Sequence, residues 1–157
     1  MQKLFIILLI AFLVSCKKSE DPAPNIETKI YEEEQVLGKW VYDKVKINGN
    51  LSTYEHQATC EKDRFYLKKY PNYKAYHEML SRDANCTFAS FYTDWELDKD
   101  ELILNLGNNS SIKYKILRLD SAHFDVSIRV DYDQDGKPDK VEIYTLKEDC
   151  GDDILCR

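Results

Sequence analysis

The sequence predicts an all-β domain, an antiparallel meander carried behind an export leader. Three observations point there. Phe124-Asp125-Val126-Ser127-Ile128-Arg129-Val130 alternates apolar and polar residues at period two, which gives a strand one dry face and one wet face. Strand candidates recur at roughly ten- to thirteen-residue intervals through the second half of the chain, a spacing typical of a meander. No stretch shows a long amphipathic helical period, although 48–59 and 70–85 leave room for a short helix.

The leader comes first. Lys3 precedes the apolar run Leu4–Val14, which is followed by Ser15 and Cys16, the layout of a secretory signal. An uncleaved anchor is the alternative, but the run falls short of the roughly twenty residues of a comfortable span and stops at Cys16-Lys17-Lys18. Leu13-Val14-Ser15-Cys16 resembles the lipobox of bacterial lipoproteins. That resemblance implies cleavage after residue 15 and acylation of the Cys16 thiol (palmitate-type chains) and its new amino group. Several acyl chains hold a bilayer firmly where one does not. The implied location is the outer membrane, on the periplasmic or cell-surface side. Acidic Glu20 and Asp21 beside Cys16 resemble signals that send lipoproteins to the surface.

Residues 16–35 read as the acylated cysteine and a disordered tether. Pro22, Pro24, Lys17, Lys18 and Glu32-Glu33-Glu34 offer too little apolar area to offset chain entropy. A flexible segment of this length spans roughly 25 Å, enough to lift a domain off the headgroups. Residues 36–157 then form one domain with its own core. The chain carries a formal net charge of −6, and Lys3 is the leader's only ionisable side chain, so the mature protein is more acidic still. Nucleic acid is therefore excluded as a partner, and anionic headgroups add nothing to membrane attachment.

With Cys16 acylated, Cys60, Cys86, Cys150 and Cys156 remain, an even number in an exported chain and the basis for two disulfides. Three pairings are open; proximity in sequence favours Cys60–Cys86 and Cys150–Cys156. Zinc is disfavoured, since no Cys-x-x-Cys occurs and His56, His77 and His123 lie scattered.

In chain order the strands are Trp40–Ile47, a Phe88–Leu97 run with Ala89, Phe91, Trp95 and Leu97 in one parity, and Leu102–Leu106. Ile112–Ile116, Phe124–Val130 and Val141–Leu146 follow. Asp98-Lys99-Asp100 and Gly107-Asn108-Asn109-Ser110 separate neighbours as turns. Gly38-Lys39-Trp40 has the Gly-x-Trp form of lipocalins. Cys60, the apolar Phe65 and Leu67, Cys86, a strand with Trp95, Glu101-Leu102-Ile103-Leu104 and Tyr114–Leu119 follow in order. Over residues 36 to 147 this resembles the small lipocalin-like domains of bacterial lipoproteins. The resemblance implies an up-and-down barrel of about eight strands that either holds one small ligand or fills its own interior. Trp40 and Trp95 read as core residues. An immunoglobulin-like sandwich ranks second, because both tryptophans lie outside the Cys60–Cys86 interval. One feature departs from the pattern. Many lipocalins pack an arginine of the last strand over the first tryptophan, whereas here only Lys147 stands near.

Residues 131–142 carry Asp131, Asp133, Asp135, Gly136, Asp139 and Glu142 at the spacing of an EF-hand loop. Alternate carboxylates on a tight loop converge on one point, as Ca²⁺ requires with its six to eight oxygen ligands. Both flanks are strands, so the segment resembles the strand-flanked calcium loops of extracellular repeat domains. The expected ligands are Asp131, Asp133, Asp135, Asp139 and the Lys137 carbonyl, with Glu142 doubtful because it enters the next strand. A solvated acidic hairpin tip is the alternative.

For function the leading expectation is a non-enzymatic binding module for a small apolar ligand, with structural calcium. The second is an accessory subunit of an envelope complex, with a filled barrel. A glycan hydrolase comes last: no catalytic residue stands out, and Gly-x-Ser-x-Gly and His-Glu-x-x-His are absent. No ligand-binding residue is readable.

Overall fold

The computed structural model describes residues 29–151. A four-residue helix, α1 (Glu33–Val36), precedes nine strands: β1 (Gly38–Ile47), β2 (Asn50–Thr53), β3 (Arg64–Lys69), β4 (Lys74–Ser81), β5 (Phe88–Asp98), β6 (Glu101–Gly107), β7 (Ser110–Leu119), β8 (Phe124–Val130) and β9 (Asp139–Glu148). Each strand from β3 to β9 pairs antiparallel with the next, and β9 returns to β1 from Lys39↔Glu148 to Ile47↔Val141. The sheet therefore closes into an up-and-down barrel of eight strands, as the lipocalin-like resemblance implied, with β2 as a ninth strand outside the cycle. Closure removes the free edges that an open sheet would expose.

Residues 48–59 and 70–85 contain strands and turns where a short helix was open. Asn48-Gly49 joins β1 to β2 with positive φ at both residues (49° and 93°), the backbone that a two-residue hairpin demands and that Asn-Gly adopts at least cost. The β4 strand occupies all of 74–81, its parity placing Tyr76, Glu78 and Leu80 inward. Residues 29–35, counted with the tether in the sequence, carry part of α1. Glu33 bridges Lys69 and Lys74, while Glu34 joins Lys69.

Alternation packs the interior. Trp40, Phe65, Leu67, Trp95, Leu102, Leu104, Ile116, Phe124 and Val126 form one cluster around the axis. At the end where β1 begins, α1 caps the barrel: the Trp40 indole donates to the Val36 carbonyl at 2.8 Å, and the Tyr31 N–H reaches the Lys99 carbonyl at 3.2 Å. This closed end also resolves the missing arginine. Lys147 faces Trp40 directly across the β1–β9 ladder, its Nζ 5.1 Å from the indole centroid. A lysine stem and ammonium thus cover the ring where many lipocalins have a guanidinium. Gly38 sits at φ +137°, and a Cβ there would lie 3.0 Å from Lys147 Cε. The glycine of Gly-x-Trp makes room for that lysine.

The opposite end carries the β1–β2 hairpin, the 54–63 and 82–87 loops, the β6–β7 turn and the 131–138 loop. The Cys60–Cys86 disulfide, with a Cα–Cα distance of 5.2 Å, ties the 54–63 loop to the β4–β5 loop. Cys156, the expected partner of Cys150, and Cys16 with the whole leader lie outside the described residues.

Candidate functional site

The inward residues grade from sealed to open along the barrel. Trp40, Phe124, Trp95, Leu67 and Leu104 at the closed end are at most 1 % exposed. Towards the other end Val45, Ile47, Leu80, Ile112, Tyr114 and Ile128 are half-buried, although Val141 among them is buried. Phe91, Val130 and Leu106, in inward parity on β5, β8 and β6, reach 38 %, 41 % and 45 % exposure. The inward side chains are therefore partly exposed at the open end and sealed at the Trp40 layer. The wall there is uneven. β5 pairs with β6 only from Asp94 to Asp98, and β7 pairs with β8 only from Lys115 to Leu119. The β6–β7 hairpin is thus the low side of the rim.

Where sealed and open layers meet stands Glu78. It is the cross-strand partner of buried Phe65 on one side and of exposed Phe91 on the other. The Tyr42 hydroxyl donates to its Oε1, and the Tyr76 hydroxyl also bonds to the carboxyl. Burial pushes the Glu78 carboxyl above the usual range against those hydroxyl bonds, and the Asp63 charge adds to the rise. Tyr114, pushed up to about 12 by burial, completes the polar ring.

The seam between β1 and β3 is closed by side chains. β1 pairs with β3 through Val41 and with β2 from Lys44 onward. Tyr54 stacks on Tyr42 at 4.9 Å in the gap, and its hydroxyl donates to Asp63 Oδ2 at 3.0 Å. His56 braces the stack: its Nδ1 accepts the Asp63 N–H at 3.0 Å, and its Nε2 lies 2.7 Å from the Tyr42 carbonyl. Asp63 is held further by the Ser81 N–H at 2.6 Å.

The acidic loop lies on the same rim. Carboxylate oxygens of Asp131, Asp133 and Asp139 all lie within 4.8 Å of one another. Local hydrogen bonds shape the loop. The Gly136 N–H donates to Asp131 Oδ2 at 3.0 Å and the Asp135 N–H to Asp133 Oδ1 at 3.2 Å. Gln134 and Gly136 take φ of 61° and 86°, which glycine accepts freely. Asp139 is clamped by the Asn48 side-chain amide and the Tyr132 N–H, which hold its carboxyl below the usual range. Asp135 stands apart from the trio, accepting the Lys137 N–H at 2.8 Å with the Lys137 ammonium 3.6 Å away. Glu142 also points elsewhere: Lys140, Tyr144 and Lys46 surround it and hold its carboxyl down at about 2. Three of the expected carboxylates therefore converge, and Glu142 is committed to the outer face of β9.

Sequence reading missed Glu78, its tyrosines and Asn48. An acidic residue in the parity of Tyr76 and Leu80 was the available signal, and it needed the register of β4. Asn-Gly at 48–49 was a plain hairpin signal.

No family model matches this chain, and no curated relative does. Among solved structures, the chain is similar to an uncharacterized protein from Bacteroides eggerthii at 11% identity and a TM-score of 0.50, covering 72% of this chain and 99% of that one. A bovine odorant binding protein in complex with a selenium-containing odorant aligns at 12% identity and a TM-score of 0.46, covering 76% and 74%. A deswapped triple mutant of bovine odorant binding protein aligns at 10% identity and a TM-score of 0.41, covering 73% and 74%. At these identities the likeness concerns the barrel fold alone.

Proposed function

We propose that the protein is a lipid-anchored envelope lipoprotein, held at the outer membrane through Cys16, whose barrel is a non-enzymatic binding module for a small, mainly apolar ligand. The observation that supports this reading is the exposure gradient inside the barrel. A barrel that filled its own interior would bury its inward residues at both ends. Here Phe91 and Val130, in inward parity, are exposed in the space above a sealed aromatic floor. Two substitutions to tryptophan, Leu80→Trp and Ile112→Trp, block that space without touching the floor. The expected outcome is that an apolar fluorescent probe binds the native protein and fails to bind either filled variant. Equal binding by all three proteins contradicts the reading.

The loop at 131–142 is proposed as a structural Ca²⁺ site. Three carboxylates close enough to share one ion support it, since ligand oxygens on opposite sides of Ca²⁺ lie roughly 5 Å apart. Asp135 and the Lys137 carbonyl would complete the shell after a small loop adjustment. The ion would pin the β8–β9 loop to the β1–β2 hairpin through Asp139 and Asn48.

One observation favours the accessory-subunit reading as runner-up. Tyr73 and Tyr92 are 54 % and 63 % exposed beside the upper stretch of β5 that lacks a β6 partner. A binding protein whose lumen stays empty in its own envelope, with that face covered by a partner, would be this second kind.

A further inference from the structure

We infer that Glu78 is a recognition group, selecting a ligand that carries a protonated amine or quaternary ammonium at one end of its apolar body. The inference rests on the lumen-binding reading above.

Glu78 is half-buried, and the more deeply buried carboxylates are held differently. Asp63 accepts the Ser81 N–H and the Tyr54 hydroxyl, and Asp125 accepts the Thr145 N–H. Asp139 accepts the Tyr132 N–H and the Asn48 amide. Glu142 has two lysines within ion-pair distance. Each of these locks a loop or a strand in place. Glu78 differs. Among the described residues its bonding partners are the hydroxyls of Tyr42 and Tyr76, with no backbone N–H and no cation. A carboxylate has about four acceptor positions, so about two are left over beyond these hydroxyls. A buried charge without a counter-charge is costly, and a glutamine or leucine would fill the same space without that cost. The missing element is a cation, and Glu78 is half-buried in inward parity directly across from exposed Phe91.

The surroundings suit an ammonium. Phe65 and Tyr76 stack at 5.5 Å, Tyr76 meets Phe91 edge-on at 6.1 Å, and Tyr42 adjoins Phe65 at 5.7 Å. Aromatic rings around a carboxylate stabilise a cation by their quadrupoles as well as by charge. Asp63 adds a second negative charge near Glu78. A carboxylate-headed lipid would meet repulsion from both, and the acidic chain as a whole draws cations towards the mouth.

The test compares octylamine, octanol and octanoate on the full mature protein by titration calorimetry. The native protein is expected to bind octylamine about tenfold or more tighter than octanol, with octanoate weakest. In Glu78→Gln the amine preference is lost while octanol affinity stays within about twofold. The native ranking needs no variant, so it decides the matter even where the variant fails to fold. Octanol bound as tightly as octylamine, or an amine preference unchanged in Glu78→Gln, overturns the inference but leaves the lumen reading standing. No binding of any of the probes overturns both.

Discussion

Lys147 lies over Trp40, its ammonium 5.1 Å from the indole centroid, and this contact seals the lower end of the barrel. Trp40 is fully buried, its N–H spent on Val36, so the ring face is what remains for the last strand to cover. Lys147→Ala is expected to lower stability by about 1 kcal/mol, the sum of an exposed cation–π contact and the packing of the stem. Lys147→Arg should retain most of it. Gly38→Ala is expected to cost about 2 kcal/mol, because φ of +137° strains any side chain and the new Cβ meets Lys147 Cε at 3.0 Å. Denaturant midpoints of the single and double variants check both, and Gly38 and Lys147 should couple.

The proposed calcium site at Asp131, Asp133 and Asp139 predicts a stability that depends on the ion. Calcium at ten times its dissociation constant stabilises the native state by about 1.4 kcal/mol if the unfolded chain does not bind it. Thermal melts with calcium and with chelator should therefore differ by several degrees in the native protein. They should coincide in Asp133→Ala, which loses one of the three converging carboxylates. Identical native midpoints in the two buffers would remove the site.

Glu142 governs acid sensitivity on the outer face of the last strand. Its carboxyl is held down at about 2, against an ordinary 4.5, by Lys140 first, then Tyr144 and Lys46. The lowered value means the stabilisation is complete above the unfolded value near 4.5 and disappears as pH falls from there to about 2. Glu142→Gln should be less stable than native at neutral pH, and the difference should shrink across that window. Equilibrium unfolding at a series of pH values measures it.

Glu78 predicts the opposite sign. Its carboxyl is raised by burial, so the ionised form is a burden that is present above the folded value and relieved as pH falls towards 4.5. Glu78→Gln should therefore melt higher than native at neutral pH, with the advantage fading on acidification. A neutral-pH melting point below native would show that Glu78 is held as a structural group like Asp63.

The Cys60–Cys86 bridge closes a loop with a sequence separation of 26 and joins two loops of the open end. In the chain-entropy description such a closure is worth about 3.5 kcal/mol. Cys60→Ala with Cys86→Ala should lower the unfolding free energy by about that much without altering the barrel spectrum in circular dichroism.

Much of this fold was legible in the sequence. Phe124–Val130 alternates so cleanly that β8 matches the expected strand at both ends. Gly38-Lys39-Trp40 marked where the barrel begins, and the spacing of cysteines favoured the Cys60–Cys86 pair. Residues 70–85 were harder, because Tyr76-His77-Glu78-Met79 is bulky on both parities. The outer face of β4 carries its own stack, His77 lying 3.7 Å from Tyr92, so burial there does not alternate. That hid the register, and with it Glu78. Spacing pointed to four converging aspartates, of which Asp131, Asp133 and Asp139 lie together and Asp135 turns to Lys137. The role of Asn48 did not, because its bond to Asp139 spans 91 residues.

The most direct test is native mass spectrometry of the full protein, extracted gently from its native cells and never delipidated. The proposed binding role predicts a population heavier than the bare chain, with whatever modification it carries, by one small molecule, absent from Leu80→Trp purified in the same way. A native protein that carries no added mass in repeated preparations, with Leu80→Trp indistinguishable from it, would contradict the account.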